Sequence, residues 1–309
     1  MTTSAACPPS RSKAPRKGQA SRTVFNIFAV VVTLLFALIC IIPFYLIVVA
    51  SFTDEATIIR EGYSIYFRDF SLRGYQLVLK NPWTILQSYG ITIFVTAAGT
   101  ALSLLMCVMT GYVLARKDFP WKNGFSFFFF FTTLFGGGLV PWYLLCTKVL
   151  GFSNRLYGLI LPLMFSVWNT IIAKNFIRTG VPFEIIESGK IDGAQDFTIF
   201  FKLVLPLTKP LLATIGLFTA LAYWNDWYNC MLFIKDRNMY TLQYYLQDIL
   251  NSADALKIVA AKSGMNVKSI PMESMKMAMT VVATGPIVLL YPFLQKYFVK
   301  GLTIGAVKG

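Results

Sequence analysis

The sequence predicts an all-α membrane protein with six transmembrane helices. Of its 309 residues, 56% are hydrophobic, and the mean hydropathy of +0.61 is higher than is usual for a soluble domain. Several long stretches also carry almost no charge, and about 20 apolar residues in a helix cross the roughly 30 Å hydrocarbon core of a bilayer. These stretches predict spans near 24–50, 87–115, 124–147, 156–177, 211–234 and 277–297.

The charged residues predict how these spans are oriented. If the N-terminus lies inside, more than half of the 28 Lys and Arg residues fall on inner segments, together with only five of the 14 Asp and Glu residues. Positive charge concentrates on the cytoplasmic side of membrane proteins, so both termini are expected in the cytoplasm. Membrane topology thus explains the net charge of +14 without a nucleic-acid partner.

The same topology divides the chain into three parts. Residues 1–22 form a cytoplasmic N-terminal arm, 23–298 form the membrane domain and 299–309 form a cytoplasmic tail. The membrane domain contains a polar segment, 182–210, which lies between the fourth and fifth spans and is expected in the cytoplasm.

Two outer segments connect the spans on the other side. Residues 52–86 mix charges of both signs with aromatic residues, which predicts a short amphipathic element at the membrane surface. Residues 236–276 hold apolar residues at helical spacing, namely Leu242, Tyr245, Leu246 and Ile249. This second segment predicts an amphipathic helix that either packs over the spans or docks an extracellular partner.

The third predicted span is rich in phenylalanine and then in glycine. Phenylalanine occupies six of the seven positions over 125–131, which is typical of a helix wall that faces lipid or packs against another helix. Gly136, Gly137, Gly138 and Pro141 follow near the outer end. Such residues permit close helix approach or a broken backbone, in the service of packing or of a transport pathway.

The polar segment 182–210 predicts a cytoplasmic helical hairpin. Glu184–Lys190 is the first helix, and Asp192 and Gly193 form the turn. The second helix presents one apolar face, formed by Phe197, Phe200, Phe201 and Val204. Such a face can fill a groove in a partner protein, or the segment can be a re-entrant hairpin without a partner.

The composition argues against catalysis by this chain. It contains no histidine, so we expect no imidazole-based catalytic group and no metal site. It also lacks the G-x-x-x-x-G-K-[ST] phosphate loop, so any ATP and Mg²⁺ must be bound by a separate subunit. We therefore expect neither catalytic residues nor a cofactor in this chain.

Amide and aromatic side chains cluster in the fifth predicted span. Polar groups at this depth are costly unless they face a cavity or a partner, and aromatic rings with amides suit sugar binding. Asn225 and Asn229 are expected to share one face, at i and i+4. The segment is expected either to line a substrate pathway or to contact a sister subunit through Trp224, Asn225, Asp226, Tyr228 and Asn229.

The spacing within 182–210 resembles the EAA loop of ABC importer permeases. That pattern runs E-A-A, three residues, G, nine residues, I-x-L-P, and here Glu187, Gly193 and Leu205-Pro206 stand at the corresponding positions. Ser188 and Gly189 replace the usual alanines, and Leu203 replaces isoleucine. The resemblance implies contact with an ATPase through Glu184, Glu187, Ser188, Gly189, Asp192, Gly193, Ala194, Leu205 and Pro206.

Further motifs are similar to the MalG-like carbohydrate permeases. They are F-G-G-G-L-V-P-W-Y-L-L at 135–145, L-I-L-P at 159–162 and Y-P-F-L-Q-K-Y-F-V-K-G-L-T-I-G-A-V-K-G at 291–309. The family implies a type I importer in a bacterial plasma membrane, which moves oligosaccharides or polysaccharides by alternating access. Its other components are a second permease subunit, two ATPase subunits that bind ATP and Mg²⁺, and an extracellular solute-binding protein.

In the maltose system the C-terminal tail of this kind of subunit reaches into the ATPase dimer, and the resemblance of the tail implies the same for Ile304, Gly305, Lys308 and Gly309. Two other functions stay open at this point. An importer permease for a non-sugar solute would keep the 182–210 segment but not the 291–309 ending. A membrane enzyme that handles polysaccharide would show a polar catalytic cluster at one interface, and the sequence contains none.

Overall fold

The computed structural model describes residues 19–262 and 271–288, and these ranges are mainly helical, as predicted. The pairing that resembles a strand within them is a single bridge between Thr53 and Phe70. Residues 1–18 of the predicted arm and the whole predicted tail, 299–309, lie outside the described residues. The helices are labelled α1 to α14 in chain order.

Two continuous helices are long and apolar enough to cross a membrane: α1, Gln19–Ser51, and α4, Pro82–Ala115. They confirm the first two predicted helices. The outer connection between them contains two short helices, α2, Glu55–Glu61, and α3, Arg73–Val78. α1 exposes its apolar side chains along most of its length, whereas α4 is central to the helix bundle.

The third and fourth predicted spans correspond to bent helix pairs. α5, Lys122–Leu134, meets α6, Leu139–Val149, at 113°. Gly138 lies at the break with a φ of 83°, which confirms the predicted interruption of the third span. α7, Tyr157–Met164, meets α8, Val167–Gly180, at 49°, so the fourth predicted span is bent rather than straight.

The polar segment 182–210 forms two helices, as predicted. α9, Phe183–Ile191, is followed by α10, Asp196–Leu207, whose middle section Ile199–Val204 is π-helical. The chain then turns by 83° into α11, Lys209–Trp224. Pro210 suits the first turn of α11 because that turn needs no backbone N–H donor.

The prediction of one continuous fifth helix over 211–234 was wrong. α11 ends at Trp224, and a separate short helix, α12, covers Tyr228–Phe233. The Asp226 carboxylate accepts a hydrogen bond from the backbone N–H of Asn229, as a capping residue does, and this contact favours the start of a new helix.

Two further helices complete the described residues. α13, Leu242–Lys262, is the predicted outer helix, and its Leu242 and Leu246 are buried against Met272 and Met279. Met272 and Met279 belong to α14, which covers 272–288 and begins earlier than the predicted sixth span. Among the described residues, up to five spans are possible by length and composition if each bent pair is one span. The count of six stays a prediction.

α4 packs closely against α8 and α11, and glycines permit this contact. A Cβ added at Gly111 would lie 2.7 Å from Ala173 Cβ and 2.9 Å from the backbone nitrogen of Lys174. A Cβ at Gly99 would lie 2.4 Å from the ring of Tyr223, whose hydroxyl donates a hydrogen bond to Ile160 O. Small residues at such positions let membrane helices pack by direct backbone contact.

Candidate functional site

The α9–α10 hairpin closes through backbone hydrogen bonds around Gly193. Asp192 N donates to Ser188 O at 2.9 Å, and Ala194 N donates to Gly189 O at 2.9 Å. Gly193 has a φ of 76°, in the left-handed region that favours glycine, whereas open space surrounds the position of its missing Cβ. Backbone conformation, and not crowding, therefore requires glycine at this position.

One face of the hairpin is packed against the ends of the membrane helices. Ile186 of α9 and Phe200 of α10 are buried in a cluster with Tyr112 of α4, Ile177 of α8 and Leu211 of α11. Three membrane helices thus hold the hairpin in place, so the hairpin and the ends of these helices form one packed unit.

Gly189 lies at the contact between α9 and α10. A Cβ there would be 3.0 Å from Leu203 Cδ1 and 3.2 Å from Ile199 Cγ1, so even the alanine of the usual EAA pattern would require both neighbours to shift slightly. The departure from the pattern at this position therefore matches the close packing of this particular hairpin.

The predicted single apolar face of α10 was wrong. Phe200 and Val204 are buried, whereas Phe197 and Phe201 are exposed. The π-helical section explains the difference, because it has more residues per turn than the α-helical spacing assumed from the sequence. The apolar residues of α10 therefore lie on two faces, one buried against the membrane helices and one exposed, which we call the free face.

The free face contains an apolar residue that sequence reasoning did not assign. Ile191, at the end of α9, is 86% exposed, and Phe197, at the start of α10, is 66% exposed. These two large apolar side chains flank the turn at Gly193. The signal in the sequence was an isoleucine placed between charged residues, Lys190 and Asp192.

The other predicted coupling residues also lie on this hairpin. Glu184, Glu187, Ser188, Asp192 and Pro206 are exposed, whereas Ala194 and Leu205 are half-buried. Ser188 Oγ donates a hydrogen bond to Ile185 O at 3.1 Å within α9. The exposed side of α9 is therefore polar, and its apolar character is confined to the end at Ile191.

An ion cluster ties the hairpin to the loop after α4. Arg116 donates hydrogen bonds to Asp118 at 2.6 and 2.8 Å and to Asp196 of α10 at 2.6 Å. Lys190 of α9 contacts the same Asp118 at 2.5 Å. The Arg116 guanidinium, with a smaller contribution from Lys190, holds the pKa of the Asp118 carboxyl well below its usual range. The cluster therefore links both helices of the hairpin to α4.

The predicted pathway residues divide into two groups. In the first, Trp224 donates from Nε1 to Ala283 O at 3.3 Å, and the Asp226 carboxylate accepts hydrogen bonds from both the backbone and the side-chain nitrogen of Asn229. Trp224 and Asn229 are buried; the Trp224 bond joins α11 to α14, and the Asp226 contacts are local to the start of α12. The second group, Asn225 and Tyr228, is exposed. Asn225 and Asn229 therefore do not share a face, because the helix breaks between them.

Asn225 contacts a residue of a groove that sequence reasoning did not identify. Its Oδ1 accepts a hydrogen bond from Gln243 Nε2 of α13 at 3.3 Å. Gln243 and residues of α14 line a groove of about 140 Å³, to which Lys276, Thr280 and Thr284 contribute one side. These three residues recur every fourth position, a polar stripe along an otherwise apolar helix. This spacing in the sequence was the available signal.

Lys276 supplies the groove's positive charge, although two carboxylates lie near it. Its Nζ is 3.4 Å from Glu273 Oε1 and 3.9 Å from Asp254 Oδ1. The groove therefore presents amide, hydroxyl and ammonium groups beside apolar side chains, and these polar groups can hydrogen-bond a hydroxylated ligand. Across 19–262 and 271–288, no group of His, Cys, Asp and Glu is arranged to hold a metal ion.

The chain is similar to carbohydrate permeases along most of its length. It is 38% identical to the polygalacturonan/rhamnogalacturonan transport system permease protein YtcP of Bacillus subtilis over 276 residues, which cover 89% of this chain and 95% of YtcP. It is also 38% identical to protein LplC of the same organism, over 88% of this chain and 90% of LplC. No model of a known protein family matches the chain.

A solved structure has the same fold. It is a chain from the crystal structure of a bacterial ABC transporter involved in the import of the acidic polysaccharide alginate. That chain superposes with a TM-score of 0.75 and 27% sequence identity, over 92% of this chain and all of the other.

Proposed function

This chain belongs to the MalG-like carbohydrate permeases of ABC importers, and we propose that its α9–α10 hairpin docks onto an ATPase subunit of the importer. The relatives are permease subunits, which leave ATP hydrolysis to a separate partner. One observation carries the proposal: Ile191 and Phe197 are exposed at the hairpin turn, while the opposite face of the hairpin is packed against the membrane helices.

The packing of the hairpin supplies a mechanism for coupling. A partner that moves Ile191 and Phe197 also moves the cluster around Ile186 and Phe200, because interiors this dense transmit displacement. The ends of α4, α8 and α11 belong to that cluster. Closure of an ATPase dimer can therefore shift these helices and open the transport pathway to the other side.

We further propose a complex with six spans in this chain and both termini in the cytoplasm of a bacterial cell. The excess of Lys and Arg on the predicted inner segments supports this orientation. The partners are a second permease subunit, two ATPase subunits that bind ATP and Mg²⁺, and an extracellular solute-binding protein. The predicted tail residues, Ile304 to Gly309, are proposed to reach between the ATPase subunits. A truncation that removes 304–309 should lower substrate-stimulated ATP hydrolysis.

The proposed substrate is an oligosaccharide that contains uronic acids. The relative YtcP is named for polygalacturonan and rhamnogalacturonan, and the structural relative imports alginate, an acidic polysaccharide. Gln243 in the groove and its partner Asn225 offer amides that bind hydroxyl groups, and the Lys276 ammonium would exchange Glu273 and Asp254 for a carboxylate of the substrate. We assign the substrate pathway to this groove and to Tyr228, an exposed residue that follows Asn225 by three positions.

The docking proposal is tested by charge substitutions at the hairpin turn. Ile191→Asp and Phe197→Asp should each reduce substrate-stimulated ATP hydrolysis by the assembled complex in proteoliposomes at least tenfold. A buried large apolar side chain contributes about 1.5–3 kcal/mol to docking, and about 1.4 kcal/mol corresponds to a factor of ten. Ile59→Asp is the matched control, because Ile59 is also highly exposed but lies on α2. Full stimulation in both hairpin variants would refute the proposal.

The substrate proposal is tested by uptake competition. Unlabelled oligogalacturonate should compete with labelled oligogalacturonate, whereas a neutral malto-oligosaccharide of equal length should not. Lys276→Gln should reduce oligogalacturonate uptake severalfold, while the complex assembles normally. Equal competition by the neutral sugar would exclude charge recognition but leave the docking proposal intact.

A further inference from the structure

A positively charged cavity of about 470 Å³ lies beside the hairpin. The end of α4, the start of α5, the end of α8 and the start of α9 form its walls. Five cations line it: Arg116, Lys117, Lys122, Lys174 and Arg178. Glu184 is the one carboxylate in the described wall, so the lining carries a large excess of positive charge.

Four of these cations have no carboxylate partner among the described residues. Arg116 is paired with Asp118 and Asp196, but no carboxylate oxygen lies within 4.0 Å of the other four side chains in that part of the chain. Lys122 donates only to backbone oxygens, and Lys174 donates to Ser126 Oγ at 2.8 Å. Cations gathered at the edge of an apolar bundle repel one another unless an anion lies between them. The cavity is therefore suited to an anion.

An apolar groove of about 390 Å³ adjoins this cavity. It runs between α4 and α5 and is lined by residues such as Met106, Met109, Phe125 and Phe129. Leu114 belongs to the walls of both the cavity and the groove, so the two spaces are neighbours. A small soluble anion would use the cavity alone, whereas a lipid would use the charged cavity for its headgroup and the groove for an acyl chain.

We propose that the cavity and the groove together bind one anionic phospholipid of the inner leaflet. Its phosphate lies among Lys122, Lys174 and Arg178, and an acyl chain lies along α4 and α5. This assignment depends on the proposed orientation, which puts the Lys- and Arg-rich end of these helices at the cytoplasmic surface. It does not depend on ATPase docking.

The position of the site gives the lipid a structural effect. Phe183, Glu184 and Ile186 of α9 contribute to the cavity wall. A bound headgroup therefore contacts the base of the hairpin and screens the repulsion among cations from α4, α5 and α8. We expect the lipid to stabilise the packed position of the hairpin.

The test is native mass spectrometry of the assembled complex titrated with phosphatidylglycerol, phosphatidylcholine or inorganic phosphate. The variant combines Lys122→Gln, Lys174→Gln and Arg178→Gln. The matched control combines Lys148→Gln, Arg155→Gln and Lys235→Gln, which are three exposed cations outside the cavity. Each cation near an anionic lipid contributes about fivefold in affinity, so the triple variant should bind phosphatidylglycerol more than tenfold more weakly. The control variant should bind phosphatidylglycerol as tightly as the unsubstituted complex does. Neither variant should change the binding of phosphatidylcholine.

A second variant separates a lipid from free phosphate. Val113→Trp should fill part of the apolar groove, since Val113 is an exposed residue of its wall, and should weaken phosphatidylglycerol binding. If inorganic phosphate binds as well as the lipid and Val113→Trp has no effect, the site is a phosphate site and the lipid proposal is wrong. Unchanged phosphatidylglycerol binding in the triple variant would also overturn it. If the triple variant does not assemble, the single variant Lys122→Gln replaces it, and its binding of phosphatidylglycerol should be severalfold weaker.

Discussion

At the scale of single residues, the two hairpin glycines meet different physical demands. Gly193 adopts a left-handed backbone conformation in open space, whereas Gly189 is buried where any side chain would press on Leu203 and Ile199. The EAA spacing predicted the turn at Gly193 from the sequence. It could not predict the crowding at Gly189, because that depends on the separation of two helices.

Gly193→Val should uncouple transport from ATP hydrolysis, because a β-branched residue in the left-handed region distorts the turn. A non-glycine residue there costs about 1–2 kcal/mol, and asparagine tolerates the conformation better than other residues. Gly193→Asn should therefore keep most of the coupling. Substrate-stimulated ATP hydrolysis in proteoliposomes measures both variants. Equal activity of the valine and asparagine variants would show that the backbone conformation at Gly193 is not required.

Asn225 and Asn229 should respond differently to alanine substitution. Asn229→Ala removes the side-chain donor to half-buried Asp226 and should lower the free energy of unfolding by about 1–3 kcal/mol, because a charged acceptor loses a partner. Asn225→Ala should leave stability unchanged and reduce uptake, since Asn225 is exposed beside the groove. Thermal unfolding in detergent and an uptake assay separate the two effects. The reverse pattern would contradict the assigned roles.

At the scale of helices, the sequence predicted where helices occur better than where they bend. Runs of apolar residues and the glycines at 136–138 are local signals, and they identified the helices and one break. The breaks near Ser166 and Asn225 depend on side-chain caps that compete with helix continuation, as the hydrogen bonds of Ser166 and Asp226 show. A capping residue within an apolar run is difficult to distinguish from a polar residue that stays helical.

Close packing of α4 on α8 makes Gly111 more sensitive to substitution than Gly90 of the same helix. Gly111→Ala should lower the free energy of unfolding by about 1–3 kcal/mol, because its Cβ would overlap Ala173 and the backbone of Lys174. Gly90 is exposed with no atom near its missing Cβ, so Gly90→Ala should be neutral or gain up to about 1 kcal/mol. The two variants are compared by thermal unfolding in detergent. A Gly111→Ala variant as stable as the unsubstituted protein would contradict this packing.

The ion cluster around Asp118 should orient the hairpin rather than stabilise the fold. Surface ion pairs contribute little to stability, typically about 0–1 kcal/mol, but this cluster joins both hairpin helices to the loop after α4. Asp118→Asn should therefore reduce substrate-stimulated ATP hydrolysis severalfold with little change in thermal stability. Asp236→Asn is the control, since Asp236 is an exposed aspartate away from the hairpin for which no salt bridge is present in the described ranges. Equal effects of both substitutions would exclude an orienting role.

At the scale of the whole molecule, composition and charge predicted a helical membrane protein, and the motifs predicted the carbohydrate permease family to which it belongs. The polar groove and the ion cluster were missed because they join residues far apart in the chain. Arg116 and Asp196 are 80 positions apart, and Asn225 meets Gln243 across a helix break. Local spacing carries no information about such contacts, which require the fold itself.

The central claim is that the hairpin turn contacts an ATPase subunit, and site-directed cross-linking tests it most directly. Ile191→Cys is compared with Ile59→Cys, because both isoleucines are highly exposed, at 86% and 72%, but lie on the hairpin and on α2. Both variants keep the same native cysteines, so the background is identical. In the assembled complex treated with a short thiol-reactive cross-linker, Ile191→Cys should give a product of this chain with an ATPase subunit, and Ile59→Cys should not. Absence of that product, or equal yield from both positions, would contradict the account.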